Sequence, residues 1–548
     1  MLDIVRRADR LARRFFAVAV ALCLALPGLT SSARAGAKAF ANSRDEADAF
    51  FTNGTILRLQ LEIPEAGLDS LRRDPRAYVA ATLRDGNTTH SNVAVHLKGG
   101  SGSFRRLDDR QPGFTVHFSY LEPDSPRFHG LKKIHLNNSV QDLSRVSELV
   151  AGQMFREAGV PAARAAHALV ELNGRRLGLY VVMESMNKDF LRQYFKNPSG
   201  NLYGQTRKCD VSDPMERMEG TGPETRADLK ALADAVQEPD AARRLVQMEK
   251  TLDVERFLSF MAMETILCHW DGYTMARHNF RIYQDVDTGR MVFFPHDLDQ
   301  LMVRGNVGFI PRTYGLVAAA VVNTPELRAR FMQRVCLLST NLFLVPRWTN
   351  RVDLAVAAVL PTVQAYDEDI ARQFANFAGA YKARIINRDL QLQRQMSVLN
   401  GTAKPLSFSN DLVQLREWWS EGGRAATRLE RTQDPDGTPA LWINTTSQAM
   451  LSWRCQVLLA PGRYRFEGRA RCAGVESPLR RKGGGAGLTV SGDRRSDSST
   501  LTGNSPWRKL TCEFEVTTTE DVDLGCELRA QRGEVWFDSD SLRLVRLP

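Results

Sequence analysis

Cysteine is scarce in this chain, with eight among 548 residues, and Cys209, Cys268 and Cys336 are scattered without the spacing of a metal site. Long apolar runs are also missing. The one candidate, Phe15 to Leu29, is short for a bilayer and interrupted by Pro27, which argues against a stable membrane span. No Lys/Arg run with interleaved aromatic residues occurs, so the formal charge of +10 does not point to nucleic acid. Neither a GxGxxG nor a P-loop pattern is present, which removes the two commonest glycine-based phosphate cradles.

What is there begins with a basic N-terminus. Arg6, Arg7, Arg10, Arg13 and Arg14 precede the apolar run, and Ala33-Arg34-Ala35 follows it. That order reads as a secretory signal peptide over residues 1–35, the alternative being an uncleaved anchor helix. Leu22 before Cys23 is too large for a lipoprotein site. An exported destination, periplasmic, cell-surface or secreted, follows. In such a protein Cys455, Cys472, Cys512 and Cys526 permit two disulfides, in any of three pairings.

The length calls for two or more domains. Ile56–Ile63, Tyr78–Leu83, Val93–Leu97, Phe114–Phe118 and Leu131–Leu136 alternate as strands of a small antiparallel sheet. Asp142 opens a helix that stops at Gly159-Val160-Pro161, and Asn173-Gly174 joins the strands Ala168–Leu172 and Leu177–Met183. Residues 227–268, 325–344 and 352–396 are helical, with Pro361 as a kink or break. Composition changes near Gly401–Pro405. Beyond it short β runs predict a sandwich, with a helical pattern only at Leu412–Trp419 and a glycine-rich loop at Gly483–Gly487.

The chemistry concentrates in His269 to Leu301, where Asp271, Asn279, Asp297 and Asp299 surround a hairpin. Its arms are Phe280–Tyr283 and Met291–Phe294, and its turn is Asp287-Thr288-Gly289, so Asp297 should return close to Asn279. Carboxylate and amide oxygens are hard ligands that suit Mg²⁺ or Mn²⁺. Asp, Asn, hairpin, Asp is also the order of protein-kinase catalytic and metal-binding residues, although no HRD or DFG tripeptide occurs. Acidic hairpin ends are otherwise plain solvated turns. The Lys98-Gly-Gly-Ser-Gly-Ser103 loop offers either phosphate contact or a simple turn.

Five stretches together resemble the CotH kinase family: LKGGSGSFR, IHLNNSVQDLSRVSELVAGQMFREAGVP, VELNGRRLGLYVVMES, GNLYG, and DGYTMARHNFRIY with FFPHDLDQL. The resemblance implies an α+β fold, an atypical protein-kinase-like two-lobed domain over residues 40–400 followed by an all-β jelly-roll sandwich over residues 405–548. It implies ATP and Mg²⁺ or Mn²⁺ as cofactors and a protein or cell-surface acceptor. Asp271 looks like the catalytic base, and Asn279, Asp297 and Asp299 like metal ligands. Lys98 and Arg105 look like cations on the ATP phosphates, Glu148 like their helix partner, and Glu184 like the residue facing adenine. RQPGFTVH (110–117) has no lysine, which leaves the usual nucleotide-binding lysine unassigned. The C-terminal region is similar to galactose-binding-like modules, in which Trp418, Trp419 or Trp507 would stack on polysaccharide or pack in the core. A catalytically inactive envelope protein that binds a polysaccharide or surface partner is the alternative to the kinase.

Overall fold

The computed structural model describes residues 44–548 except 53, 55, 101, 205–207, 223–224, 304–306, 403, 422–426, 478–483 and 491–499. The signal peptide expected at residues 1–35 lies outside the described residues, and none of the described helices is long and apolar enough to cross a membrane.

Seven strands open the fold: β1 (Leu57–Glu62), β2 (Val79–Asp85), β3 (Thr88–Lys98), β4 (Gly113–His117), β5 (Lys133–Asn137), β6 (Ala165–Leu172) and β7 (Arg175–Glu184). Their alternation is plain in β1, where Leu57, Leu59 and Leu61 are buried and the residues between them exposed. The strands close into a barrel in the order β1-β2-β3-β4-β5-β7-β6, rather than forming the small open sheet expected. The seam is a parallel pairing of β1 with β6, from Leu57 opposite Ala168 to Leu61 opposite Leu172. Closure leaves no open edge and buries one face of each strand in a core of Leu59, Leu61, Val95, Phe114, Ile134 and Val182. Asn173 and Gly174, both in the left-handed region, make the β6–β7 turn as Asn-Gly predicts.

The second part is helical, built on Val254–Ile266, Pro325–Asn341, Val345–Tyr366 and Glu368–Leu399 around one apolar core. A small sheet of β8 (Leu202–Gly204), β9 (Glu216–Glu219), β10 (Phe280–Asp285) and β11 (Arg290–Pro295) lies beside it. Pro361 does not break its helix. The break falls at Asp367, whose side chain accepts the Ile370 N–H at 2.9 Å and caps the last long helix.

Two antiparallel sheets form the C-terminal sandwich, and Leu441, Ile443, Phe466, Leu488, Leu524 and Phe537 are among the residues buried between them. The expected helix at Leu412–Trp419 is instead two short strands, Leu412–Gln414 and Trp419–Glu421, captured by Arg543–Leu547 and Ala449–Leu459. Gly485 already belongs to a strand, so the glycine tract is only in part a loop. Cys455, Cys472, Cys512 and Cys526 are buried and unbridged, which corrects the expectation of two disulfides. They lie in the apolar interior of the sandwich, where a small thiol packs as an apolar residue does. Trp418 is buried beside Phe466, the core alternative of the two foreseen for it.

Candidate functional site

The site grows from the polar side of the barrel. On β5, Ile134 and Leu136 turn into the barrel core, so Lys133, His135 and Asn137 must face the other way. They look into a cavity of about 220 Å³ that is also lined by Lys98 at the end of β3, Glu148, Glu184, Arg281 on β10, and His296 and Asp297 after β11. A smaller pocket beside it shares Lys98, Asn137, Glu148 and Asp297 and adds Gly99, Ser103 and Asp299.

The hairpin does what its sequence suggests. Phe280 pairs with Pro295, and the His296 N–H donates to the Asn279 carbonyl at 2.9 Å, so both arms end at one place. Asn279 donates its side-chain amide to Asp271 Oδ2 at 3.1 Å. Asn279 and Asp297 have φ of 52° and 55°, a left-handed conformation that non-glycine residues adopt at a cost and keep where the surroundings fix it. Ser147 Oγ donates to the Leu298 carbonyl at 2.6 Å and ties the helix Ser147–Glu157 to the acidic loop, which brings Glu148 to Asp297.

The loop carrying Asp271 is equally constrained. Arg388, buried in the last long helix, donates to the carbonyls of Ile266 at 2.8 Å, Thr265 at 2.9 Å and Val307 at 3.0 Å. The first two are C-terminal carbonyls of the helix Val254–Ile266 that have no partner within it, and the third ties in the segment beyond the acidic loop. Glu264 accepts the Tyr273 and Thr274 N–H groups at 2.8 Å each, and Tyr273 in turn donates to Asp210 at 2.9 Å.

Electrostatics identify the cluster as one unit. Burial, then Asp297, pushes the Glu148 carboxyl up to about 8, with Lys98 opposing. Burial, then Asp297 and Glu148, holds Asp299 well above the usual carboxylate range. Asp271 is raised by burial, with His269 opposing and Asp297 reinforcing. Burial lowers Lys98 against the pull of Asp297, Glu148 and Asp299, and brings Arg281 down to about 10. Asp271 Oδ1 and Asp299 Oδ1 are buried and accept no hydrogen bond. Around Asp297 and Asp299, crowded and desolvated carboxylates are the donor set a divalent cation relieves. Among the described residues no three His, Cys, Asp or Glu side chains form a ready-made metal shell, so the Asn279 amide and ligand oxygens would have to complete one.

Of the residues singled out from sequence, Lys98, Glu148 and Asp297 share the walls of both pockets and Asp299 enters the smaller one. Asp271 and Asn279 line neither pocket; they are hydrogen-bonded to each other, and Asp271 feels the charge of Asp297. Arg105 is not brought to the site: its guanidinium turns back to the carbonyls of Gly102 and Phe104, at 3.1 and 2.8 Å. Glu184 lines the cavity, yet its carboxylate is committed to Arg164 at 2.9 and 2.7 Å and to Gln193 at 2.6 Å, so it offers a ligand little beyond its backbone. Sequence reasoning passed over Lys133 and Arg281, the cations that join Lys98 around the cavity. Strand alternation was the only available signal, since both share a face with other polar positions.

Residues 95–382 match the family described as CotH kinase protein. The chain is 22% identical over 307 residues to the inner spore coat protein H of Bacillus subtilis (strain 168), covering 52% of this chain and 83% of that protein. It is 31% identical over 144 residues to the invasin CotH2 of Rhizopus delemar, covering 24% of each. Among solved structures, TmCBM61 in complex with β-1,4-galactotriose matches 24% of this chain and 91% of its own, at 16% identity and a TM-score of 0.18. A family 35 carbohydrate binding module from Clostridium thermocellum matches 26% and 98%, at 14% identity and a TM-score of 0.17.

Proposed function

Because the chain belongs to the CotH kinase protein family, we propose that it is an exported kinase that moves the γ-phosphoryl group of ATP to a hydroxyl of a protein or cell-surface acceptor. The observation that carries this reading is the meeting of Lys98, Lys133 and Arg281 with Glu148 and Asp297 around one cavity walled by the barrel and the β9–β11 sheet, with Asp271 held to the base of that hairpin by Asn279. A concave pocket with convergent cations suits a nucleotide. Lys98, Lys133 and Arg281 would hold phosphate oxygens, and Asp271 would orient the acceptor hydroxyl and take its proton. Asn279, Asp297 and Asp299 would hold Mg²⁺ or Mn²⁺, which when bound neutralises charge on the transferred group. Glu148, kept close to Lys98, would set that ammonium in place.

The test is radiolabelled γ-phosphoryl transfer from ATP to the protein itself and to envelope extracts, with Mg²⁺ or Mn²⁺. Nucleotide-dependent stabilisation serves as the binding control, since a ligand at a hundred times its dissociation constant adds about 2.7 kcal/mol. Transfer and a raised Tm are expected. Neither effect with any nucleotide would remove the kinase reading.

A second reading, a polysaccharide-binding module, rests on the sandwich. The half-buried Trp442 stacks at 6.5 Å on the buried Trp536, and Arg471 lies 5.7 Å from the Trp536 ring and 6.0 Å from that of the half-buried Trp507. Aromatic faces of this kind pair with sugar rings. Glycan-array binding lost on Trp507→Ala checks it.

A further inference from the structure

His269 is 0% exposed and stands between two carboxylates, with Nδ1 3.4 Å from Glu264 Oε1 and Nε2 3.6 Å from Asp271 Oδ1. Neither nitrogen has a hydrogen-bond partner at these separations, and the two carboxylates are the acceptors within reach. A buried imidazole with both edges turned to acids is not filling space; an apolar ring would avoid the desolvation of two ring nitrogens. The backbone is shaped around the contact. A Cβ on Gly272 would lie 2.1 Å from Glu264 Oε1 and 2.6 Å from His269 Nδ1, so only glycine lets the loop close over the pair. Glu264 is itself immobilised by the Tyr273 and Thr274 amides, and the His269 N–H caps the Glu264 carbonyl at 2.8 Å.

We propose that His269 is a positioning residue: braced on Glu264, it fixes Asp271 Oδ1 while Asn279 fixes Oδ2, so that the carboxylate presents one defined face to the acceptor hydroxyl. This rests on the reading of Asp271 as the proton acceptor. The charged groups facing the imidazole are Glu264, Asp271 and, more distantly, Asp297. Burial works against a charged ring, and these three acids, Glu264 foremost, hold His269 above its ordinary range. The separations of 3.4 and 3.6 Å are those of a resting site, where such contacts are often long and tighten with substrate bound. Glutamine at this position can brace one carboxylate and not both.

In the full-length protein, His269→Gln is expected to lower kcat for phosphoryl transfer about 10- to 100-fold while the nucleotide KM moves less than about threefold. Asp271→Asn combined with His269→Gln should be no slower than Asp271→Asn alone, because the imidazole acts through that carboxylate. Losses that multiply, or a KM rising in step with the fall in kcat, overturn the proposal. A second measurement decides it without activity. In protein carrying ¹⁵N-labelled histidine, the signal lost in His269→Gln should report protons on both ring nitrogens at neutral pH and shift in Asp271→Asn and Glu264→Gln. One bare nitrogen, indifferent to both substitutions, overturns the proposal. Absence of transfer by the wild type would count against the kinase reading, with the labelled histidine still deciding the role of His269.

Discussion

The Asn279 amide donates to Asp271 at 3.1 Å, while the Asn279 carbonyl receives the His296 N–H at 2.9 Å. One residue thus fixes the distance between the Asp271 loop and the strand that delivers Asp297.

Asp271→Asn and Asp297→Asn should each reduce phosphoryl transfer at least about a hundredfold, the scale of a positioned acid–base or charge-stabilising group. Asp297→Asn should melt at or above the wild-type value, since Asp297 crowds Glu148, Asp299 and Asp271, whereas Asp271→Asn should melt near it, relief of that crowding offsetting the loss of an acid facing His269. Asn279→Ala should lose activity as well and should melt lower, because Asp271 Oδ2 then loses its donor. Scanning calorimetry beside the transfer assay reads both.

How far this site was legible depended on whether its signal was local. The hairpin was, because Asp287-Thr288-Gly289 is a turn by composition and its apolar arms set the register. The seven barrel strands were, because alternation such as that of β1 is written residue by residue. Closure by β1 and β6 was not, since nothing near Leu57 says that Ala168 will lie alongside. Lys133 and Arg281 were hidden for a similar reason: a cation on the polar side of a strand reads as solvent-facing until another element roofs it. Arg105 was over-read because it follows a glycine-rich loop. That loop turns on itself, with Phe104 N–H on the Gly100 carbonyl at 2.9 Å, and carries Arg105 away. The four sandwich cysteines permit bridges by number alone, and only the folded strands show them buried as free thiols.

Arg281→Met should weaken nucleotide binding about 10- to 100-fold, the loss of one charge-assisted contact, with Lys98→Met and Lys133→Met in the same range. Arg105→Ala should leave affinity within about twofold, since a guanidinium hydrogen-bonded to its own loop contributes little at the cavity. Titration calorimetry with ATP and Mg²⁺ separates the two groups. Equal losses would mean that the loop opens toward the nucleotide.

The raised Glu148 carboxyl sets a pH dependence. Its folded-state value of about 8 lies above its ordinary 4.5, so between those limits the folded chain binds more protons than the unfolded one. Its contribution to stability is therefore complete below the unfolded value and declines as pH rises through the folded value. Without metal or nucleotide, Tm should fall from pH 5 to pH 8, and Glu148→Gln should flatten that slope and melt higher at pH 8. An unchanged slope in the variant would assign the dependence to another group.

Gly272→Ala should impair transfer about tenfold or more and lower stability by about 1–3 kcal/mol, because the added carbon meets Glu264 and His269. Gly379, exposed in the last long helix with nothing within 4 Å of its would-be Cβ, is the control: Gly379→Ala should raise stability by up to about 1 kcal/mol and leave activity alone. Chemical denaturation measures both.

All seven described cysteines should titrate as thiols once the chain is unfolded, and a reductant should leave the melting curve unchanged. The thiol of Cys455 is pushed up to about 12 by burial and that of Cys526 well above its usual range, so both should react slowly in the folded state. A reductant-sensitive transition would reveal a bridge formed on oxidation.

The parallel seam of the barrel also sets an order in time. Leu57 cannot meet Ala168 until the whole stretch between them has been made, and at roughly 5–20 residues per second synthesis alone imposes a wait of several seconds. During that wait β1 can pair with β2 on one edge, while its other edge stays open to any passing strand. A chaperone that shields Leu57–Glu62 until Ala165–Leu172 has emerged should therefore raise the yield of native protein.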